Sequence, residues 1–284
     1  PDKKLAGVAK ARDWPITRFE GRGRTTTKDV VRTGLAYLSA APAAAAALSS
    51  YSLNGSAKQA RNLFQGLWGE LSSASIGLNL DVKGREHLWS HRPAVFMANH
   101  QSAVDAIAVL KLVQSDFTAI AKKEVRSQPV IGQVSEAMGT IFVDRADSKK
   151  AREALAPAVT ALKSGTSIII FPEGTRSPTN KLSKFKKGGF HLAMQAGVPI
   201  VPIVLKNTTD AMPKGAIMAR PATVHVTVLP PVETKDWKPE EIDKNIASVR
   251  SMFLKELAQD EVERPKDVIR LAQSANKPKS RAKS

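Results

Sequence analysis

Apolar residues change their spacing near residue 77, and that change divides the chain. Before it, Leu63, Phe64, Leu67, Trp68 and Leu71 recur every three or four positions, which predicts a helix over 57–76. The uncharged stretch GLAYLSAAPAAAAALSSYSL, Gly34 to Leu53, belongs to a preceding helix over 27–53 with a break near Pro42. Asn54-Gly55-Ser56 is a turn signal, so the two helices should fold back as an antiparallel hairpin. After residue 77 short β-branched runs take over. LNLDVKG alternates as a strand does, and AVFMAN, FTAIAK, GTIFVDR, TSIIIF, VPIVPIVL and ATVHVTVLP are further strand candidates. Helical patterns fall between them at 103–113, 148–163, 187–196 and 239–258. Strands alternating with helices predict the α/β class, a mostly parallel sheet flanked by helices and preceded by the hairpin. Pro199 and Pro202 interrupt the VPIVPIVL strand, which predicts an edge position or a bulge.

Composition adds boundaries and partners. The 284 residues suffice for a sizeable buried core. They divide into a basic arm or linker at 1–26, the hairpin at 27–76, an α/β domain at 77–260 and a basic, disordered tail at 261–284. No cysteine is present, so disulfides, thiolate metal sites and a thiolate nucleophile are excluded. Lys and Arg total 43 against 26 acids, a net charge of +17, which favours polyanionic partners. Aromatic residues are only 5%, thin for stacking on single-stranded bases, so anionic lipid or phosphate is the expected partner and nucleic acid is not. The first residues have no apolar signal-peptide core. The stretch 34–53 is long enough to cross a bilayer. Its alanine, serine and proline content favours an interfacial or half-inserted helix beside Lys28 and Arg32 instead.

Candidate chemistry clusters just after strands, where open α/β sheets bind ligands. In AVFMANHQSAVDAIAVLKLV, His100 follows a buried run and Asp105 lies five residues on. With His100 in a loop and Asp105 in the first helical turn, the carboxylate can meet the imidazole and make it a general base. Ser102-Ala103-Val104-Asp105 also matches a capping box, so a plain helix cap stays open on this stretch. No cysteine and no G-x-S-x-G elbow is available for such a base to activate, which favours direct attack by a substrate hydroxyl. A second group, Glu173-Gly174-Thr175-Arg176, follows the strongest strand, with Lys181, Lys184, Lys186 and Lys187 behind it. Arginine's planar fork suits phosphate. An Arg176–Glu173 pair and a solvated lysine loop are the structural alternatives. Asp144-Arg145 ends a third strand, and a local ion pair explains it equally well. No metal-ligand spacing and no Walker or dinucleotide glycine pattern occurs, so no metal or cofactor is expected.

Taken in order and spacing, NHQSAVD, GTIFVDR, FPEGTRS and VPIVPI resemble the four motifs of the glycerolipid acyltransferases. The nearest group is the bacterial 1-acyl-sn-glycerol-3-phosphate (lysophosphatidic acid) acyltransferases. The resemblance covers about residues 77–235. It implies that His100 is the base on the acceptor hydroxyl and that Asp105 orients it. It implies phosphate contacts from Arg176 and Arg145, an acceptor site shaped by Glu173, Gly174 and Thr175, and a family lysine at Lys122, with Lys123 as its neighbour. It implies acyl-CoA or acyl carrier protein as donor, a membrane-facing hairpin at 27–76, and a place on the cytoplasmic face of the cell membrane. Anionic membrane lipids and the lysophospholipid acceptor are then the partners. PDKKLAGVAKARDWPITRF resembles the closing segment of haloacid-dehalogenase-type phosphatases, although that domain's catalytic aspartate motif is not in this chain. Another lysophospholipid, glycerol-3-phosphate or a glycolipid as acceptor, or a non-enzymatic basic membrane-binding module, are the alternatives.

Overall fold

The computed structural model describes residues 25–144, 155–177 and 181–259. Helix α1, Thr27–Leu38, starts at a reciprocal cap: Asp29 N–H donates to the Thr26 hydroxyl, and Thr26 N–H donates to the Asp29 carboxylate at 2.9 Å. Pro42 cannot donate to the Leu38 carbonyl, so the helix breaks at Ser39. Helix α2, Ala40–Asn54, then restarts with Pro42 in its first turn, where an N–H has no partner to lose. Gly55 turns the chain at φ +66, and the Ser56 hydroxyl caps helix α3, Ala57–Ile76. Both α1 and α2 pack back on α3, giving the hairpin that the turn signal predicted. Small side chains let them close in: Ala43 is fully buried at the contact. The Trp68 indole N–H reaches the Ala36 carbonyl from α3.

Seven strands form one sheet in the order β1-β7-β6-β2-β5-β3-β4. They are β1 Leu78–Lys83, β2 Val95–Ala98, β3 Phe117–Lys122, β4 Ile141–Val143, β5 Ser167–Ile170, β6 Ile200–Leu205 and β7 Ala222–Val228. All pairings are parallel except β6 with β7. Every residue of β2, β5 and β6 is buried, which is why their sequences run apolar without alternation. Between the strands lie α4 His87–Ser90, α5 Val104–Val113, α6 Ile131–Ala137, α7 Ala156–Lys163, α8 Gly188–Ala196 and α9 Thr208–Ala211, and α10 Ile242–Glu256 follows β7. One apolar layer joins the hairpin and α5 to Phe96, Ile203 and Val224; the other joins α7, α8 and α10 to Val95, Met97 and Val204. The parallel strands therefore bring the loops after β2, β3, β5 and β6 to one edge, with the hairpin on one face and α7, α8 and α10 on the other.

Of the two positions expected for the prolines, the edge fails: the strand is central, flanked by β2 and β7. The bulge holds, since the antiparallel register slips by one residue between Ile203↔Val228 and Ile200↔Val232. The Ile200 and Pro202 backbones face β7's side: Ile200 exchanges hydrogen bonds with Val232, and Leu229 N–H donates to the Pro202 carbonyl. Pro202 thus sits just past the β6–β7 ladder, which begins at Ile203, so its missing N–H breaks no rung. The helix expected over 148–163 is described only as Ala156–Lys163, because 145–154 lie outside the described residues. The N-terminal arm to residue 24 and the tail from 260 lie outside them too.

The hairpin crosses α5 at Gly69, where an added Cβ would stand 3.1 Å from the Lys111 nitrogen and 3.2 Å from the Leu110 carbonyl carbon. Gly69→Leu should overpack this crossing and lower the unfolding free energy by about 1–3 kcal/mol, read as a lower thermal midpoint. An unchanged midpoint would mean that the two helices can move apart without cost.

Candidate active site

Strand β2 ends at Ala98, and the next seven residues, Asn99 to Asp105, build the site. The Asn99 carboxamide takes the place of a backbone rung: its Nδ2 donates to the Leu205 carbonyl at 2.8 Å and its Oδ1 accepts from Leu205 N–H at 2.7 Å. This fastens the start of the loop to the end of β6. Ser102 Oγ donates to the Met212 carbonyl at 2.6 Å and accepts from Val104 N–H, which starts α5. Asp105, the second residue of α5, is fully buried and points back into the loop. Its Oδ2 accepts from His100 Nδ1 at 2.7 Å, from Gln101 N–H at 2.7 Å and from Ser102 N–H at 2.8 Å. One oxygen therefore closes the loop and meets the imidazole, whereas the expected capping box is only half formed: Ser102 N–H reaches Asp105, but the N-cap of α5 is Ala103, without a side-chain cap bond. An ionised carboxylate can only accept, so Nδ1 carries the proton and Nε2 keeps its lone pair. The ring stacks on Phe171 with centroids 4.2 Å apart and 20° between planes.

The β5 loop supports His100 from its backbone side. Glu173, 3% exposed, accepts from His100 N–H at 2.6 Å through Oε1 and from Ser183 N–H at 2.9 Å through Oε2. Burial raises its pKa above the ordinary carboxyl value, and the two backbone donors and the nearby imidazole pull the other way. Ser177 N–H adds a 2.8 Å bond to the His100 carbonyl. Glu173 is thus turned onto peptide groups rather than toward a ligand, which differs from the expected acceptor-site role, and it is not available to pair with Arg176. Gly174 holds φ +77, a left-handed turn that strains any residue with a Cβ.

His100 opens on a groove of about 560 Å³. Its walls are mostly apolar: Trp68 and Ile76 of α3, Ile107 and Leu110 of α5, Ala119 and Ile120 of β3, and Met138 after α6. Thr33, Ala36 and Tyr37 of α1 also line it, so the hairpin forms part of the wall. The strand-end loops give it a polar end with His100, Lys122, Gly174, Thr175 and Arg176. Lys122 and Lys123 separate here: Lys123 Nζ lies 2.6 Å from Asp144 Oδ2, whereas Lys122 lines the groove. Neither Lys122 nor Arg176 has a carboxylate partner among the described residues. Arg145 lies outside the described residues. In the sequence, Phe171 and Asn99 had no assigned role and Ser102 only that of a helix cap. Phe171 alone had a local signal there, an aromatic at a strand end directly before Pro172-Glu173-Gly174.

A family profile described as Acyltransferase matches residues 79–206. The 1-acyl-sn-glycerol-3-phosphate acyltransferase of Limnanthes alba is 35% identical over 197 residues, 69% of each chain. The enzyme of the same name from Saccharomyces cerevisiae is 34% identical over 183 residues, 63% of this chain and 60% of its own. The crystal structure of the 1-acyl-sn-glycerophosphate (LPA) acyltransferase PlsC from Thermotoga maritima superposes with a TM-score of 0.65 at 27% identity, covering 81% of this chain and 97% of that one. These matches give no support to the phosphatase resemblance of the first residues, which lie outside the described part of the chain. A histidine and a carboxylate joined at the mouth of an apolar groove, on a fold and sequence shared with these proteins, place the chain in the glycerolipid acyltransferase family.

Proposed function

We propose that the protein is a 1-acyl-sn-glycerol-3-phosphate acyltransferase. It moves an acyl chain from a thioester of coenzyme A or acyl carrier protein to the free hydroxyl of 1-acyl-sn-glycerol-3-phosphate, giving phosphatidic acid. The observation that carries this reading is the 2.7 Å His100–Asp105 contact beside a groove that is apolar along its length and cationic at one end. His100 Nε2 takes the proton of the acceptor hydroxyl as its oxygen forms a bond to the thioester carbonyl carbon. Asp105 holds the tautomer and balances the imidazolium. When the tetrahedral adduct collapses, the carbon–sulfur bond breaks and the imidazolium returns the proton to the leaving thiolate. No side chain of the enzyme is acylated. Arg176 and Lys122 hold the acceptor's phosphate, and the acyl chain lies along Ile107 and Leu110. Fixing both reactants in this way converts a bimolecular attack into a positioned one.

The acceptor and product are membrane lipids, and the hairpin supplies a seat among them. Val31, Leu35, Leu38, Leu48 and Leu53 are exposed on α1 and α2. No helix among the described residues is long and apolar enough to cross a membrane. On this reading the exposed leucines seat the hairpin in the interface of the cytoplasmic leaflet, where +17 of net charge meets anionic lipid and the donor is at hand.

Three measurements test this. His100→Ala should lower turnover in a thiol-release assay with acyl-CoA and lysophosphatidic acid by about 100- to 10,000-fold; wild-type turnover would remove the base from the mechanism. Arg176→Ala should raise the acceptor KM roughly tenfold and leave the donor KM in place, whereas equal shifts in both would deny it the phosphate. Leu35→Asp with Leu38→Asp should cut co-flotation with anionic vesicles while the thermal midpoint holds. Undiminished flotation would put the membrane contact elsewhere.

A further inference from the structure

The segment Met212–Arg220 lies beyond the residues matched by the family profile, yet it is fastened at four points, two on the site and two on α1. Ser102 Oγ donates to the Met212 carbonyl at 2.6 Å. Lys214 Nζ donates to the Arg176 carbonyl at 3.0 Å. Ala219 N–H donates to Thr33 Oγ1 on α1 at 2.9 Å, and the Arg220 guanidinium stands 3.7 Å from Asp29 Oδ2. The segment is therefore a strap, tied at one end to the catalytic loop and at the other to the hairpin. Met212 and Ala219 both line the groove. The strap carries one exposed ammonium over the turn that presents Arg176.

From this arrangement we infer that Lys214 is a further binding residue for the acceptor's phosphate and sets the preference for a phosphate monoester. An ammonium has three donors, and one is spent on the Arg176 carbonyl. Among the described residues no carboxylate pairs with Lys214 or with Arg176. The Lys214 ammonium is tied to the backbone of the residue whose guanidinium lines the groove, so an anion held by Arg176 is within the field of both cations. A phosphate monoester is fully charged above its second pKa, near 6, and offers oxygens enough for Arg176, Lys122 and Lys214 together. The acidic group at this end of the groove is Glu124, on the β3 side, and Asp210 of α9 is hydrogen-bonded to Asn207 instead. A phosphodiester head group carries a single negative charge and a bulky substituent, so the second cation on this turn discriminates against it.

The inference rests on the acyltransferase reading, and the experiment separates the two. Wild-type enzyme is assayed first with lysophosphatidic acid; no turnover would sink that reading and this inference with it. Given turnover, Lys214→Ala should raise the acceptor KM about three- to tenfold, leave the donor KM unchanged, and narrow the preference for lysophosphatidic acid over lysophosphatidylcholine. Lys214→Arg should restore most of that preference. The wild-type acceptor KM should fall as pH rises through about 6, where the phosphate gains its second charge, and the Ala variant should flatten this fall. An acceptor KM in Lys214→Ala equal to wild type, or a pH profile of wild-type steepness, would overturn the inference while the acyltransferase reading stands. Equal rises in both KM values with a lowered thermal midpoint would also overturn it, by showing that the lysine only holds the strap.

Discussion

One buried oxygen organises the site. Asp105 Oδ2 receives His100 Nδ1, Gln101 N–H and Ser102 N–H, all at 2.7–2.8 Å. A carboxylate so far from water is costly unless its charge is answered by donors. Here the donors are the loop's own peptide groups, so holding the charge and shaping the loop are one event. If the carboxylate were lost, two buried N–H groups would be orphaned along with the imidazole. Asp105 therefore cannot be weighed as a catalytic group apart from its structural part, because each interaction presupposes the other. The arrangement also explains why a five-residue separation works. Gln101 and Ser102 bend back over the first turn of α5, a path no continuous helix could take.

The second carboxylate does a complementary job from the opposite side. Glu173 grips His100 N–H and Ser183 N–H, fixing the histidine's backbone while Asp105 fixes its ring. The environments of the two acids differ in the way their roles demand. Asp105 faces an imidazole that, on the proposed mechanism, becomes cationic during proton transfer. Glu173 meets neutral peptide donors in a buried place that raises its pKa. Asn99 completes the frame by zipping to Leu205 across strands 106 residues apart. The imidazole is thus clamped by three elements that meet only in the fold.

What the sequence disclosed follows from the range of each signal. The hairpin showed through helical spacing and a glycine turn, both local. The strands of the sheet showed through short apolar runs. The His100–Asp105 pairing was readable because both residues lie within one loop-to-helix transition. Glu173 was visible as a motif residue but its direction was not, since its partners stand 73 positions before it and 10 after. The edge position expected from Pro199 and Pro202 failed for a related reason. A proline's tolerance depends on which neighbour its nitrogen faces, and β7 ends where Pro202 needs it to end. The resemblance pointed to Lys122 but nothing local separated it from Lys123; Asp144, reached only through β3–β4 pairing, neutralises Lys123 and leaves Lys122 at the groove.

If the donor is a thioester, as proposed, the strap and the hairpin bear on a problem that such an enzyme faces, which is water. An imidazole poised to deprotonate an alcohol can equally deprotonate water, and hydrolysis of the donor then competes with transfer. The groove is walled by Thr33, Ala36 and Tyr37 of α1, and α1 is held to the domain through Thr33–Ala219 and Asp29–Arg220. A hairpin lifted off the domain would open this wall and admit solvent along the acyl path. The same helix exposes Leu35 and Leu38 outward, and on the proposed reading burying them in lipid would press the wall shut. On the proposed reading, seating at the membrane then does more than deliver the acceptor. It closes the side of the groove through which water would enter, and the ratio of transfer to hydrolysis becomes a property of the interface as much as of His100.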